Sequence, residues 1–204
     1  MASSPLFHLF EPTLSMADAA VEAASDAPFS YTPVGATAGP LPEGFDHDVQ
    51  RQPVGAGVDD WERAKAAIRS WKQFDLPWVR FYHPEMALLP GAVVVFAARP
   101  MGLWTLNLCR IVSVFDESDA STARFGLSYG TLEGHSVSGE ERFELSWDHR
   151  TDDVFFEIRK FSQFRHWLVR ASAPVARRIQ AKFSREAIDS VRRAVSGERG
   201  NRSG

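Results

Sequence analysis

From Ala92 to Phe161 apolar and polar residues alternate with a period of two, and β-branched and aromatic types dominate. That period places successive side chains on opposite faces of an extended strand. It predicts five strands: Ala92–Arg99, Leu103–Phe115, Arg124–Leu132, Glu140–Trp147 and Val154–Phe161. The gaps hold turn residues: Pro100–Gly102, Asp116–Asp119, Gly134–Gly139 and Asp148–Asp153. Gaps this short join antiparallel neighbours, because parallel strands need long crossovers. Phe45–Val54 adds an earlier edge strand, with Pro53 near its end. Between Pro77 and Pro84 the segment LPWVRFYHP reads as irregular chain or a short strand.

Two stretches follow the helical period instead. Trp61, Ala64, Ile68 and Trp71 recur at spacings of three and four, and Asp59 with Glu62 forms an acidic capping box at the start. At the C-terminal end a long helix is predicted over Arg165–Ser196. Its apolar face is Ala176, Ile179, Phe183, Ala187, Val191 and Ala194. Arg178, Lys182, Arg185, Arg192 and Arg193 fall on the other side. Pro174 predicts a kink or a fresh start, and Gly197 a stop. The expected fold class is α+β: a curved antiparallel β-sheet wrapped on a long C-terminal α-helix, with a shorter helix near residues 59–72. A sheet with one apolar face must bury it, and a long amphipathic helix can cover it. This is the helix-grip logic, in which a cavity often remains between sheet and helix.

Residues 1–28, rich in Ala, Ser, Asp and Pro, read as a flexible or loosely docked N-terminal extension, with a short helix possible over Met16–Ala24. Residues 29–44 are punctuated by Pro and Gly and predict an extended surface loop. The expected domain is a single α+β unit over 29–196, followed by a disordered tail, 197–204. The whole is 204 residues and 22.7 kDa, enough for one sizeable core. Hydrophobic residues make up 44% and charged residues 24%, which excludes a disordered or fibrous chain. No apolar run reaches the roughly 20 residues of a membrane helix, and the N-terminus lacks a basic signal region. A cytoplasmic location is expected. The net charge of −3 hides an asymmetry. Residues 158–204 carry 12 Lys/Arg against 3 Asp/Glu, and the rest carries 11 against 23. That basic end fits either a helix lying on an acidic body or a face for nucleic acid or anionic membrane.

The segments YTPVGAT (31–37), NLCRIVSVFDE (107–117), RFGLSYGTLEGHSVSGEERFELSW (124–147) and FFEIRKFS (155–162) resemble the uncharacterised protein family 0548, a domain of unknown function. The resemblance covers about Tyr31 to Val195. It carries no established activity. The strand order is also similar to the START-like, helix-grip superfamily of lipid and small-molecule binders, which is a likeness of architecture alone.

Strand parity selects the candidate chemistry. Glu141 shares the parity of Phe143, Leu145 and Trp147, and Arg110 that of Trp104, Leu106, Leu108, Val112 and Val114. A buried unpaired charge is costly, so Arg110 and Glu141 are expected to pair across the inner face, either as a structural ion pair or as a polar anchor in an apolar pocket. Tyr129 shares parity with Phe125 and Leu127 and offers a hydroxyl. The candidate ligand-binding set is therefore Trp104, Arg110, Phe125, Tyr129, Glu141 and Phe143. His135 and Glu133 are loop candidates, because loops carry function and His titrates near neutrality. No metal or cofactor is expected. His47 between two aspartates cannot ligate with both in a strand, and one cysteine, Cys109, reads as a small hydrophobe. Three functions follow, in order: a binder of an apolar or amphipathic small molecule; a cyclase, isomerase or hydrolase using Glu141, Tyr129 or His135; and an interaction module using the basic face of the last helix. Oligomeric state is left open.

Overall fold

The structure is a computed structural model, and it describes residues 8–100, 102–135, 137–164 and 173–197. Seven antiparallel strands form one sheet in the order β1-β7-β6-β5-β4-β3-β2. They are β1 (Asp46–Ala56), β2 (Val79–Phe81), β3 (Val93–Ala98), β4 (Thr105–Ser118), β5 (Thr122–Thr131), β6 (Val137–Asp148) and β7 (Asp153–Phe164). Among the described residues three α-helices accompany them: α1 (Leu14–Ala23), α2 (Gly57–Arg69) and α3 (Ala173–Ser196). The α+β helix-grip expected from the periodicity is the observed architecture.

The inner face of the sheet carries the main core. Phe125, Leu127 and Tyr129 of β5, Phe143 and Leu145 of β6, and Val154, Phe156 and Ile158 of β7 all point inward. They meet Trp61, Ala64 and Ile68 of α2 and Ala187, Ile188, Val191 and Val195 of α3. Alternation along each strand supplies these positions at i, i+2, i+4. Of the six residues named for α3's apolar face, Phe183, Ala187, Val191 and Ala194 pack on the core. Residues 165–172, the first quarter of the expected helix, lie outside the described residues. Pro174 stands in the first turn of α3, where a missing N–H costs nothing.

Four details depart from the sequence reading. α2 starts at Gly57, so Asp59 is not its cap. Instead Asp60 reaches back and accepts from the Ala56 N–H at 2.9 Å. Second, Trp71 lies beyond the helix in the left-handed region, at φ 55°, and opens a 3-10 turn over Lys72–Phe74. Third, β4 carries a bulge between Ile111 and Ser113. An extra residue on one strand exchanges the faces beyond it. Cys109 and Ile111 therefore face the inner core before the bulge and Val114 packs on it after. Trp104, Leu106 and Leu108 fall on the outer face.

Fourth, the N-terminal segment expected to be flexible is built onto that outer face in its described part. Ala17 of α1 is buried against Tyr82, Val95 and Ala97, with Val21, Trp104, Leu106 and Leu108 around them. Thr13 caps α1, its Oγ1 accepting from the Met16 N–H at 3.3 Å. The weak apolar face seen in the sequence suffices because small Ala17 lets the helix approach the strands closely. The following loop crosses the outer face of β5–β7, where Tyr31 stacks edge-on against Phe161 at 5.4 Å.

Candidate functional site

The expected Arg110–Glu141 pair does not exist. The bulge in β4 leaves Arg110 on the outer face, where its guanidinium donates to the carbonyls of Ala24, Ser25 and Ala27 at 3.1, 2.8 and 2.8 Å. These carbonyls belong to the turn that follows the C-terminal end of α1, where a cation also suits the helix dipole. Arg110 is a clamp on α1.

Glu141 has other partners. Cross-strand register places Tyr129 opposite Glu141, Glu141 opposite Lys160, and Lys160 opposite Asp48. Four strands thus contribute one polar row to the inner face. The Tyr129 hydroxyl donates to Glu141 Oε2 at 2.5 Å. Lys160 Nζ lies 3.4 Å from Glu141 Oε1 and 3.3 Å from Asp48 Oδ2. It donates to Ser184 Oγ at 2.8 Å and to the Gln180 carbonyl at 3.2 Å, both on α3. Ser184 in turn donates to Asp48 at 3.1 Å. One ammonium is balanced by two carboxylates in a place where Lys160 is 7% exposed. Burial first, and then the Glu141 charge, push the Tyr129 hydroxyl well above the usual phenol range, so it stays protonated and acts as a donor. The same causes raise the Cys109 thiol and keep it inert.

Aromatic rings surround this row. Phe74 projects into the space between sheet and α3. Its centroid lies 6.2 Å from Tyr129, 6.0 Å from Phe143, 5.5 Å from Phe183 and 5.0 Å from both Phe81 and Phe96. The centre of the expected cavity is therefore occupied by a side chain of the protein. Several polar atoms enclosed here have no hydrogen-bond partner: Trp71 Nε1, both amide atoms of Gln73, and Glu141 Oε1. Gln73 is fully buried.

Of the candidate set, Tyr129, Glu141 and Phe143 come together, and Phe125 joins the same core nearer α2, under Arg69 at 4.6 Å. Trp104 and Arg110 lie across the sheet on the α1 side. His135 and Glu133 occupy the turn after β5. There the His135 Nδ1 accepts from the Val137 N–H at 3.0 Å, and burial pushes its pKa down to about 4. The Glu133 N–H donates to Pro28 O. On α3, Lys182 and Arg192 pair with Glu186 and Asp189 of the same helix, and Arg192 also donates to the Pro53 carbonyl. Arg178, Arg185 and Arg193 are exposed. Lys160, Asp48, Ser184 and Phe74 were not singled out. Lys160 carried the same signal as Glu141, since it shares parity with Val154, Phe156 and Ile158.

Comparison with known proteins bears on the lineage. The model of the family DUF1990, described as a domain of unknown function, matches residues 30–190. A UPF0548 protein of Dictyostelium discoideum is 35% identical over 158 residues, spanning 74% of this chain and 73% of its own. A UPF0548 protein of Arabidopsis thaliana is 31% identical over 157 residues, spanning 76% and 75%. Among solved structures, a hypothetical protein from Helicobacter pylori is similar with a TM-score of 0.49 and 11% identity, over 85% of this chain and all of its own. A START superfamily protein from Mycobacterium smegmatis is similar with a TM-score of 0.40 and 10% identity, over 72% and 99%.

Proposed function

We propose that this chain, which belongs to the DUF1990 family, binds a small amphipathic molecule between the inner face of its sheet and α3. The observation that carries this reading is the polar row Tyr129–Glu141–Lys160–Asp48 set in an otherwise aromatic core. A core needs no buried ions for stability, because apolar residues of similar volume serve as well or better. Convergent polar groups in an apolar enclosure are what a ligand site requires to fix orientation. Glu141 supplies an acceptor and Lys160 a donor, and the rings supply apolar contact.

The test is native mass spectrometry of the full chain, gently purified, with organic extraction of whatever accompanies it. A reproducible small-molecule adduct that falls in Tyr129→Phe and persists in Trp104→Ala is expected. An adduct lost in Trp104→Ala and kept in Tyr129→Phe moves the site to the outer face and overturns the reading.

A second reading, acid–base chemistry at the same row, is favoured by one observation: Tyr129 is held protonated and aimed at Glu141 at 2.5 Å. Chemical change of the extracted compound on incubation, abolished in Tyr129→Phe with binding retained, is the outcome that reading requires.

A further inference from the structure

The turn that fills the inner site carries three separate signs of conformational cost. Trp71, a bulky residue, sits at φ 55°, a region that side chains with a Cβ seldom occupy. Gln73 is fully enclosed, and neither its amide nitrogen nor its amide oxygen has a hydrogen-bond partner. The Trp71 indole N–H is buried and unpartnered as well. Buried polar groups are nearly always satisfied, and a native exception calls for a reason. Backbone strain collects at ligand clamps and switch segments for the same cause. What the turn delivers is the Phe74 ring, placed against Tyr129, Phe143 and Phe183, and it is Tyr129 whose hydroxyl meets the Glu141 carboxylate. Among the described residues Glu141 Oε1 is enclosed with no hydrogen-bond donor, and Lys160 Nζ lies 3.4 Å from it.

We infer that the Trp71–Phe74 turn is a displaceable plug, and that the inner site takes an aryl compound carrying a hydrogen-bond donor. The compound's ring replaces Phe74 and its donor meets Glu141 Oε1. This rests on the proposed binding site between sheet and α3 and adds the ligand class and the gate. When the turn moves out, Gln73 and the Trp71 indole reach water, and Trp71 leaves the left-handed region. These gains, together with the ligand ring taking over the contacts of Phe74, offset what the turn loses on leaving the core.

p-Cresol is the probe, because it is a ring of phenylalanine's size with one donor, and toluene is its counterpart without the donor. Binding of both is measured by titration of the full chain and of two variants. Phe74→Ala removes the plug, so apparent affinity for p-cresol rises at least about tenfold, because the closed fraction no longer reduces it. In that variant p-cresol outbinds toluene at least about tenfold, as a hydrogen bond to a carboxylate requires. Gln73→Leu removes the unpartnered amide, so it raises the thermal midpoint and weakens p-cresol binding. This second variant keeps the test decisive if Phe74→Ala does not fold. In the unmodified chain, bound p-cresol speeds amide exchange over Lys72–Asp75. Equal binding of p-cresol and toluene overturns the ligand class. An adduct seated at Tyr129 and Lys160 with no change over Lys72–Asp75 overturns the plug and leaves the binding site standing. No adduct, together with no binding of either probe to any form, removes both.

Discussion

The hydroxyl of Tyr31 donates to Glu140 Oε2 at 2.7 Å and so ties a loop to a strand 109 residues away. Glu140 is 2% exposed and faces away from α3. Its carboxylate also accepts from the Gly35 N–H at 2.6 Å, the Thr37 N–H at 3.0 Å and the Thr37 hydroxyl. Four donors can hold a buried carboxylate without a cation. Gly130 makes room for the ring, since a Cβ there would collide with the Tyr31 hydroxyl. The two sequence stretches YTPVGAT and YGTLEGHSVSGEE thus meet at one point, and their joint presence has a structural cause.

Replacing Glu140 by Ala strands those donors in the sheet. We expect a loss of about 3 kcal/mol, the scale of several unsatisfied buried polar groups. Gly130→Ala is expected to destabilise as well, by displacing Tyr31. Urea unfolding monitored by tryptophan fluorescence checks both, and an unchanged midpoint in Glu140→Ala would show that the loop contributes nothing to stability.

Arg110→Met removes the clamp on α1 and leaves the inner face untouched. The expected effect is a local loosening of about 1–2 kcal/mol, the scale of charged hydrogen bonds to exposed carbonyls. Amide exchange should speed up in Leu14–Ala23 and stay constant in β5–β7. Faster exchange at Tyr129 and Glu141 would return Arg110 to the inner site.

His83 bridges α1 and the sheet, with Nε2 2.7 Å from Asp18 and Nδ1 3.3 Å from Glu85. The Asp18 hydrogen bond raises its pKa above the ordinary value of 6.5. A raised folded pKa gives a contribution that is complete below 6.5 and is lost as pH climbs through the folded value. Docking of α1 is therefore expected to weaken slightly above neutrality, read as lower amide protection factors in α1 after correction for intrinsic exchange. His83→Gln should abolish the pH dependence of those protection factors.

His135 has the opposite sign. Burial lowers its pKa from 6.5 to about 4, so the folded state holds the neutral ring. Its contribution is present above 6.5 and drains away as pH falls towards about 4, because the unfolded chain takes up the proton first. Unfolding midpoints measured from pH 7 to 4 should fall less steeply in His135→Gln than in the unmodified chain.

Breaking the inner row should cost more than replacing it. Lys160→Met leaves the partly buried carboxylates of Glu141 and Asp48 without the cation between them, with an expected loss of about 2–3 kcal/mol. Glu141→Gln in the Lys160→Met background should restore part of that loss. A double-mutant cycle with no coupling between the two positions would contradict the geometry described for this row.

The period-two alternation after Ala92 determined five strands and their antiparallel order, and the three-and-four spacing determined α2 and the exposed basic edge of α3. These are local properties, since each follows from which way a side chain points along its own element. Glu141, Tyr129 and Phe143 were legible for that reason. Register and packing are not local. One extra residue in β4 sent Arg110 to the outer face, and nothing in the run NLCRIVSVF marks where the ladder slips. The row from Tyr129 to Asp48 exists because four strands align across chain separations that periodicity does not report. Phe74 fills the grip because the left-handed turn at Trp71 aims it there. Tertiary structure decided which charges meet and what occupies the space between sheet and helix, because both depend on volumes and partners supplied by distant parts of the chain.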